Sequence, residues 1–190
     1  KKVLDILPNR KSADLIRYFR AFSTRNSVKV VVMDMNKAYK EVAKACFPNA
    51  TIVIDKFHVM RQANWAFENV RKNEQKKFDD EKRKHFKRSR SLLLKHPSKL
   101  KKEEDMDAVT IMLLDSERIR DAYNLKNKFQ EFMWSKDSYE ARRRLSEWIL
   151  LAELAEFPEF KACLTAVHNW DKYILNAFDY PYTNGFTEGC

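Results

Sequence analysis

Two short β-branched runs, each closing on an aspartate, leave this chain few folds to choose from. Val28-Lys29-Val30-Val31-Val32-Met33-Asp34 and Thr51-Ile52-Val53-Ile54-Asp55 are almost unbroken apolar segments of strand length. Neither alternates, so both faces of their sheet must be covered, the usual condition of parallel strands in an α/β fold. Between them, residues 36–47 return to helical spacing, with Ala38, Tyr39, Val42, Ala43 and Phe47 on the buried side, and Pro48-Asn49 ends that helix. Strand, helix and strand in so short a stretch predict a βαβ unit, right-handed if the strands are parallel. Upstream, Lys2–Leu7 reads as a further short strand stopped by Pro8-Asn9. A helix follows over residues 12–22, with Ser12 as its N-cap and Leu15, Tyr18, Phe19 and Phe22 on one stripe.

From Phe57 onward the strand pattern disappears, and spacing predicts helices over roughly 57–95, 105–134, 137–155 and 158–176. The expected class is therefore α/β with a large all-α insertion, dominated by helix. Glycine occurs only at Gly185 and Gly189, which removes GxGxxG, GxxxxGK[ST] and GxSxG sites at once. HExxH is also absent. The cysteines Cys46, Cys163 and Cys190 form no CxxC pair, so neither a zinc ribbon nor a disulfide framework is indicated, and each reads as a small buried hydrophobe. No apolar run reaches the 18 residues of a membrane span, and no leader-like segment opens the chain. The expectation is a cytoplasmic protein without a membrane partner.

Charge is distributed unevenly around a net +10. Residues 71–102 carry 14 basic and 4 acidic side chains, whereas residues 103–190 carry 10 basic and 17 acidic. Such a basic segment suits a polyanionic partner, nucleic acid being the commonest, or simply a solvated helix face. Lys82, Arg83, Lys84, Lys87, Arg88 and Arg90 lie on a predicted helix in which Phe78, Phe86 and Leu93 recur near every seventh residue. An apolar seam with basic flanks can dock on a core and face phosphates. Arg142, Arg143 and Arg144 form a second basic candidate. Trp65, Trp134, Trp148 and Trp170 read as core of the helical block rather than stacking platforms.

The remaining chemistry-bearing residues are acids at element ends. Asp34 and Asp55 stand where buried strands emerge, a common place for functional side chains in open α/β sheets, although an aspartate there also caps the next helix. Glu188 lies in Asn184-Gly185-Phe186-Thr187-Glu188-Gly189, where Thr183 or Asn184 can cap a helix that places Glu188 near its positive end.

Met33-Asp34-Met35-Asn36-Lys37-Ala38-Tyr39, Phe47-Pro48-Asn49-Ala50, Ile54-Asp55-Lys56-Phe57-His58-Val59 and Asn184–Gly189 together resemble the ISL-three family of insertion-sequence transposases. The match runs in order along both ends of the chain, with a helical block between them as in the family. That resemblance implies an RNase H-like fold with a DDE triad, lacking its first strands here. Residues 1–58 would be a partial α/β core, 59–178 a helical insertion, and 179–190 the return to the core. Asp34 would be the second triad acid and Glu188 the third, both ligands of Mg²⁺ or Mn²⁺ in a two-metal site. Asp55 and His58 match an Asp-x-x-His element that supports the site, although His58 can equally be a hydrogen-bonded core residue. The first triad acid would precede Lys1, since Asp5 does not match it, and the chain alone would then be inactive.

The implied reaction is cleavage at element ends followed by transfer to target DNA, in the bacterial cytoplasm at the nucleoid. Joining two ends is compatible with a homodimer. Two other readings stay open: a non-catalytic nucleic-acid-binding or assembly module whose acids only cap helices, and an inactive transposase relic.

Overall fold

In the computed structural model, residues 5–180 and 182–183 are described, and they divide between two units. The first comprises residues 1–59 and 169–190, the second residues 60–168.

The first unit is built on strands β1 (Val30–Met33) and β2 (Thr51–Ile54), which pair in parallel with Val30 opposite Thr51 and Met33 opposite Ile54. Helix α1 (Ser12–Arg20) precedes β1, and α2 (Lys37–Cys46) connects the strands. Asn36 starts α2 by accepting hydrogen bonds from the backbone N–H groups of Ala38 and Tyr39 at 2.8 and 3.3 Å. The helix buries Val42, Ala43 and Cys46. Helix α1 packs on α2 through Phe19 and Phe47, whose rings meet edge-on at 5.1 Å. The N-cap of α1 is Lys11, not Ser12, and it has no side-chain cap. Of the strand expected over Lys2–Leu7, residues 1–4 lie outside the described residues, and residues 5–7 form no strand. Among the described residues, 5–7 pair with neither strand, so no ladder holds them extended.

In the second unit, continuous helical spacing conceals several breaks. Helix α3 (Lys56–Gln75) begins in the first unit and is followed by α4 (Asp80–Arg88) and α5 (Arg90–Leu94) in place of one helix to residue 95. Asp79 makes the interruption by capping α4, its carboxylate accepting from Lys82 N–H at 2.8 Å, with Asp80 and Glu81 in the first turn. Ser116 likewise separates α6 (Glu103–Asp115) from α7 (Glu117–Met133), accepting from Ile119 N–H at 3.3 Å. Helix α8 (Ser138–Leu154) is capped by Asp137, whose carboxylate accepts from Glu140 N–H at 2.8 Å. Helix α9 (Lys161–Asp179) comes after a 3₁₀ turn at Pro158–Phe160 and returns to the first unit.

The core of the second unit gathers Phe129, Phe132 and Trp148 from α7 and α8. The Trp148 indole N–H donates to Leu125 O at 3.0 Å. Trp170 is buried too, but in the first unit rather than the helical block, and Trp65 and Trp134 are 53% and 49% exposed. Cations cover them in place of core: Arg61 lies 4.8 Å over Trp65, and Lys99 lies 5.6 Å over Trp134.

Two buried devices fix the basic segment. Glu68 receives Arg71 at 2.8 Å and Arg90 at 2.5 Å, which joins α3 to the start of α5. Burial alone would raise the Glu68 carboxyl, but the two guanidiniums outweigh it and lower its pKa. Lys126, fully buried on α7, donates to the carbonyls of Leu93, Leu94 and Lys95 at 3.1, 3.2 and 3.1 Å. These are the orphan acceptors at the end of α5.

Burial lowers the Lys126 ammonium from 10.5 to about 7. Below that value folded and unfolded chains both carry the proton, and between it and 10.5 the unfolded chain binds more, so stability contributed here rises with pH. Denaturant unfolding between about pH 7 and pH 9 should therefore show the protein gaining on its Lys126→Met variant. A difference independent of pH would contradict this account.

Candidate active site

Parallel pairing sends the carboxyl ends of β1 and β2 the same way, and Met33 and Ile54 are register partners. The residues after them, Asp34 and Asp55, consequently emerge side by side. Asp55 N–H extends the ladder by donating to Met33 O at 3.1 Å. Beyond Asp34 the chain turns at once into the Asn36 cap, with Asn36 N–H donating to Asp34 O at 2.7 Å.

The two aspartates have different surroundings. Asp34 has a side chain 43% exposed, with His58 Nε2 at 2.9 Å from its Oδ1. Asp55 is 2% exposed. Its Oδ1 accepts from Phe57 N–H at 2.8 Å, and its Oδ2 accepts from the Thr183 hydroxyl at 2.8 Å. The Asp-x-x-His spacing accounts for this arrangement. Asp55 precedes the first residue of α3 and caps it, and His58 lies one turn on, with its imidazole directed at Asp34. His58 is itself buried, and the Phe57 ring stands edge-on to it at 5.5 Å. A solvent-accessible carboxylate held from behind by a buried imidazole can present oxygen to a hard cation, because one lone-pair direction is fixed by the ring. Asp55, with both oxygens engaged inside the protein, serves as a structural junction.

The C-terminal end of α9 returns to these strands. Asn176 donates from Nδ2 to Ile52 O at 2.8 Å, and the Tyr180 hydroxyl lies 3.4 Å from Thr51 Oγ1. Lys56 places its ammonium 3.6 Å over the Phe178 ring, and burial lowers its pKa. Thr183 then meets Asp55. Sequence reasoning reads Thr183 only as a helix-cap alternative to Asn184, because a bond spanning 128 residues leaves no local pattern. Glu188 and the segment around it lie outside the described residues. Among the described residues, no three His, Cys, Asp or Glu side chains converge to hold a metal ion.

The basic candidates separate into two groups. Arg83, Lys84, Lys87 and Arg88 are exposed on α4, and none has an ion pair among the described residues, while Phe86 between them is fully buried. Lys82 instead pairs with Asp115 at 3.3 Å, and Arg90 is committed to Glu68. On α8, Arg142 is exposed, Arg143 pairs with Glu147 at 3.7 Å, and Arg144 pairs with Glu140 at 2.9 Å. Arg144 also donates to Glu131 O at 2.5 Å.

No helix among the described residues is long and apolar enough to cross a membrane. No curated protein and no solved structure matches the chain. A family model described as a transposase, of the ISL3 DDE type, matches residues 1–190. A match over the whole length, together with the aspartates emerging from adjacent parallel strands, places this chain in the ISL3-type transposase family.

Proposed function

We propose that Asp34 and Glu188 are acids of a DDE centre on an RNase H-like core, and that the chain acts in metal-dependent cleavage and transfer of DNA strands. Residues 1–58 and 179–190 would form that core, and 59–178 the helical insertion. The observation that carries the reading is the paired geometry at the strand ends, where Asp34 is exposed and held by His58 while Asp55 receives the chain returning from α9. Thr183 is five residues before Glu188, and five extended residues reach about 18 Å at most, a span long enough to let Glu188 approach Asp34.

The donor chemistry at Asp34 fits Mg²⁺ or Mn²⁺, which favour carboxylate oxygens. When bound, such ions stabilise charge on the phosphorus centre and activate water or a 3′-hydroxyl. Asp34 and Glu188 would hold them. His58 fixes the rotamer of Asp34 and leaves the carboxylate facing solvent. Asp55 caps α3 and thereby sets the position of His58. The exposed row Arg83, Lys84, Lys87 and Arg88 suits sequence-independent contact with the phosphates of element ends or target DNA. Two copies acting on two ends would make the working assembly a homodimer.

Asp34→Asn and Glu188→Gln in the intact transposase should each abolish strand cleavage with DNA binding retained, as a gel assay on an end-bearing duplex would show. Cleavage surviving either substitution removes that acid from the mechanism. If cleavage survives both, the chain is a binding module whose acids serve the fold.

Reversing Lys84, Lys87 and Arg88 to glutamate should weaken DNA binding and flatten its dependence on salt, by about 0.9 in log–log slope for each phosphate no longer neutralised. A slope unchanged from the parent protein would make α4 a solvated face.

A further inference from the structure

Helix α8 carries two apolar faces, and the second unit buries only one of them. Ala141, Leu145, Trp148 and Ala152 recur at helical spacing and are buried. On the other side Leu150, Leu151 and Leu154 are 57%, 38% and 72% exposed. At about 100° per residue, Leu150 and Leu154 point almost directly away from the buried stripe, with Leu151 beside them. The exposed ion pair of Arg143 with Glu147 continues the same stripe toward the helix start. A solvated helix face is ordinarily polar, and clustered exposed leucines mark a surface that another molecule covers. We propose that this face joins two copies of the chain, with α8 packed antiparallel on α8 about a two-fold axis beside Leu150 and Leu151.

Charge selects the occupant and its direction. The first half of α8 holds Arg142, Arg143 and Arg144, whereas Glu153 and Glu156 follow the leucines with no basic residue before Lys161. Arg142 and Glu156 are exposed, and neither has an ion pair among the described residues. An antiparallel copy lays the arginine end of each helix along the glutamate end of the other, and the two-fold axis makes that match twice. A parallel copy would set like ends together. With the axis beside Leu150 and Leu151, Leu154 of each copy covers the Glu147 stem of the other. Arg143 then stands at the level of the second copy's helix end, beside its Glu156. A 17-residue helix is about 25 Å long and roughly 10 Å across, less than the ~800 Å² each partner gives a standard interface. The pair is therefore a weak one, with a dissociation constant on the order of 10 μM. It suits an assembly that two DNA ends bring together, but it stands on α8 alone and not on the metal chemistry.

The test is sedimentation equilibrium of the intact transposase without DNA, over concentrations from about 1 to 100 μM. The parent should pass from monomer to dimer across that range. Leu150→Glu with Leu154→Glu should stay monomeric throughout, and Leu150→Ser with Leu154→Ser is the milder pair, each kept only where circular dichroism matches the parent. Arg143→Glu and Glu156→Arg should each weaken the dimer by about tenfold through like charges at the rim, and the two together should restore the parent constant. Ile111→Glu, at an exposed apolar position on α6, should change nothing. A monomeric parent overturns the proposal, as does a dimer that survives both leucine pairs or a charge swap no better than its single variants. Assembly growing beyond two copies and stopped by Ile111→Glu also overturns it, because the leucines would then dock on α6 of the next copy in an open chain. None of these outcomes touches the DDE reading, which stands or falls with cleavage by Asp34→Asn and Glu188→Gln.

Discussion

The parallel pairing of β1 with β2 is the constraint on which the rest of the site depends. Register opposes Met33 to Ile54, so the next residue of each strand is an aspartate leaving the sheet at the same edge. The two acids then diverge in role because the chain beyond each one takes a different path. After Asp34 it turns through the Asn36 cap into α2, which leaves the carboxylate accessible. After Asp55 it enters α3 directly, and the carboxylate is consumed in starting that helix and in holding Thr183. A one-residue slip of register would turn β2 over and take Asp55 out of its buried setting.

The helical unit shows a related economy in how it treats charge. Glu68, Arg71 and Lys126 are nearly or fully buried, and each is matched by donors or acceptors that would otherwise be orphaned. Such groups add little net stability over apolar replacements, but they penalise wrong docking of α4 and α5 heavily, because a misplaced charge would be stranded. Arg90, itself exposed, is tied to this inner set through buried Glu68, whereas the row Arg83, Lys84, Lys87 and Arg88 has no ion pair among the described residues. A single basic run thus divides into cations that hold α4 and α5 and cations that face solvent.

Much of this is legible in the residues, and the exceptions have physical causes. Both strands and α2 come from β-branched runs and helical spacing, and the family from four short motifs. The breaks at Asp79 and Ser116 escape a reading by periodicity because the apolar spacing runs on through them, although each residue is a good cap with an acid close behind it. Residue type assigns Trp65 and Trp134 to the core, yet cations cover their rings at the surface, one a helical turn away and the other 35 residues earlier in the chain. Arg90 and Arg144 look identical to their solvent-facing neighbours, since a partner on another element, or a turn away among several candidates, has no distinct local signature. Distance along the chain also hides the bond between Thr183 and Asp55, while Asp34 and His58 are legible through their motif spacing.

The central claim is that Asp34 and Glu188 share a divalent cation. Anomalous scattering from Mn²⁺ in crystals of the intact transposase with its DNA end measures this directly. The account predicts a peak about 2.2 Å from a carboxylate oxygen of each residue, with His58 still bonded to Asp34. Ordered Asp34 and Glu188 carboxylates more than about 10 Å apart, with the ion bound to other groups, would contradict it.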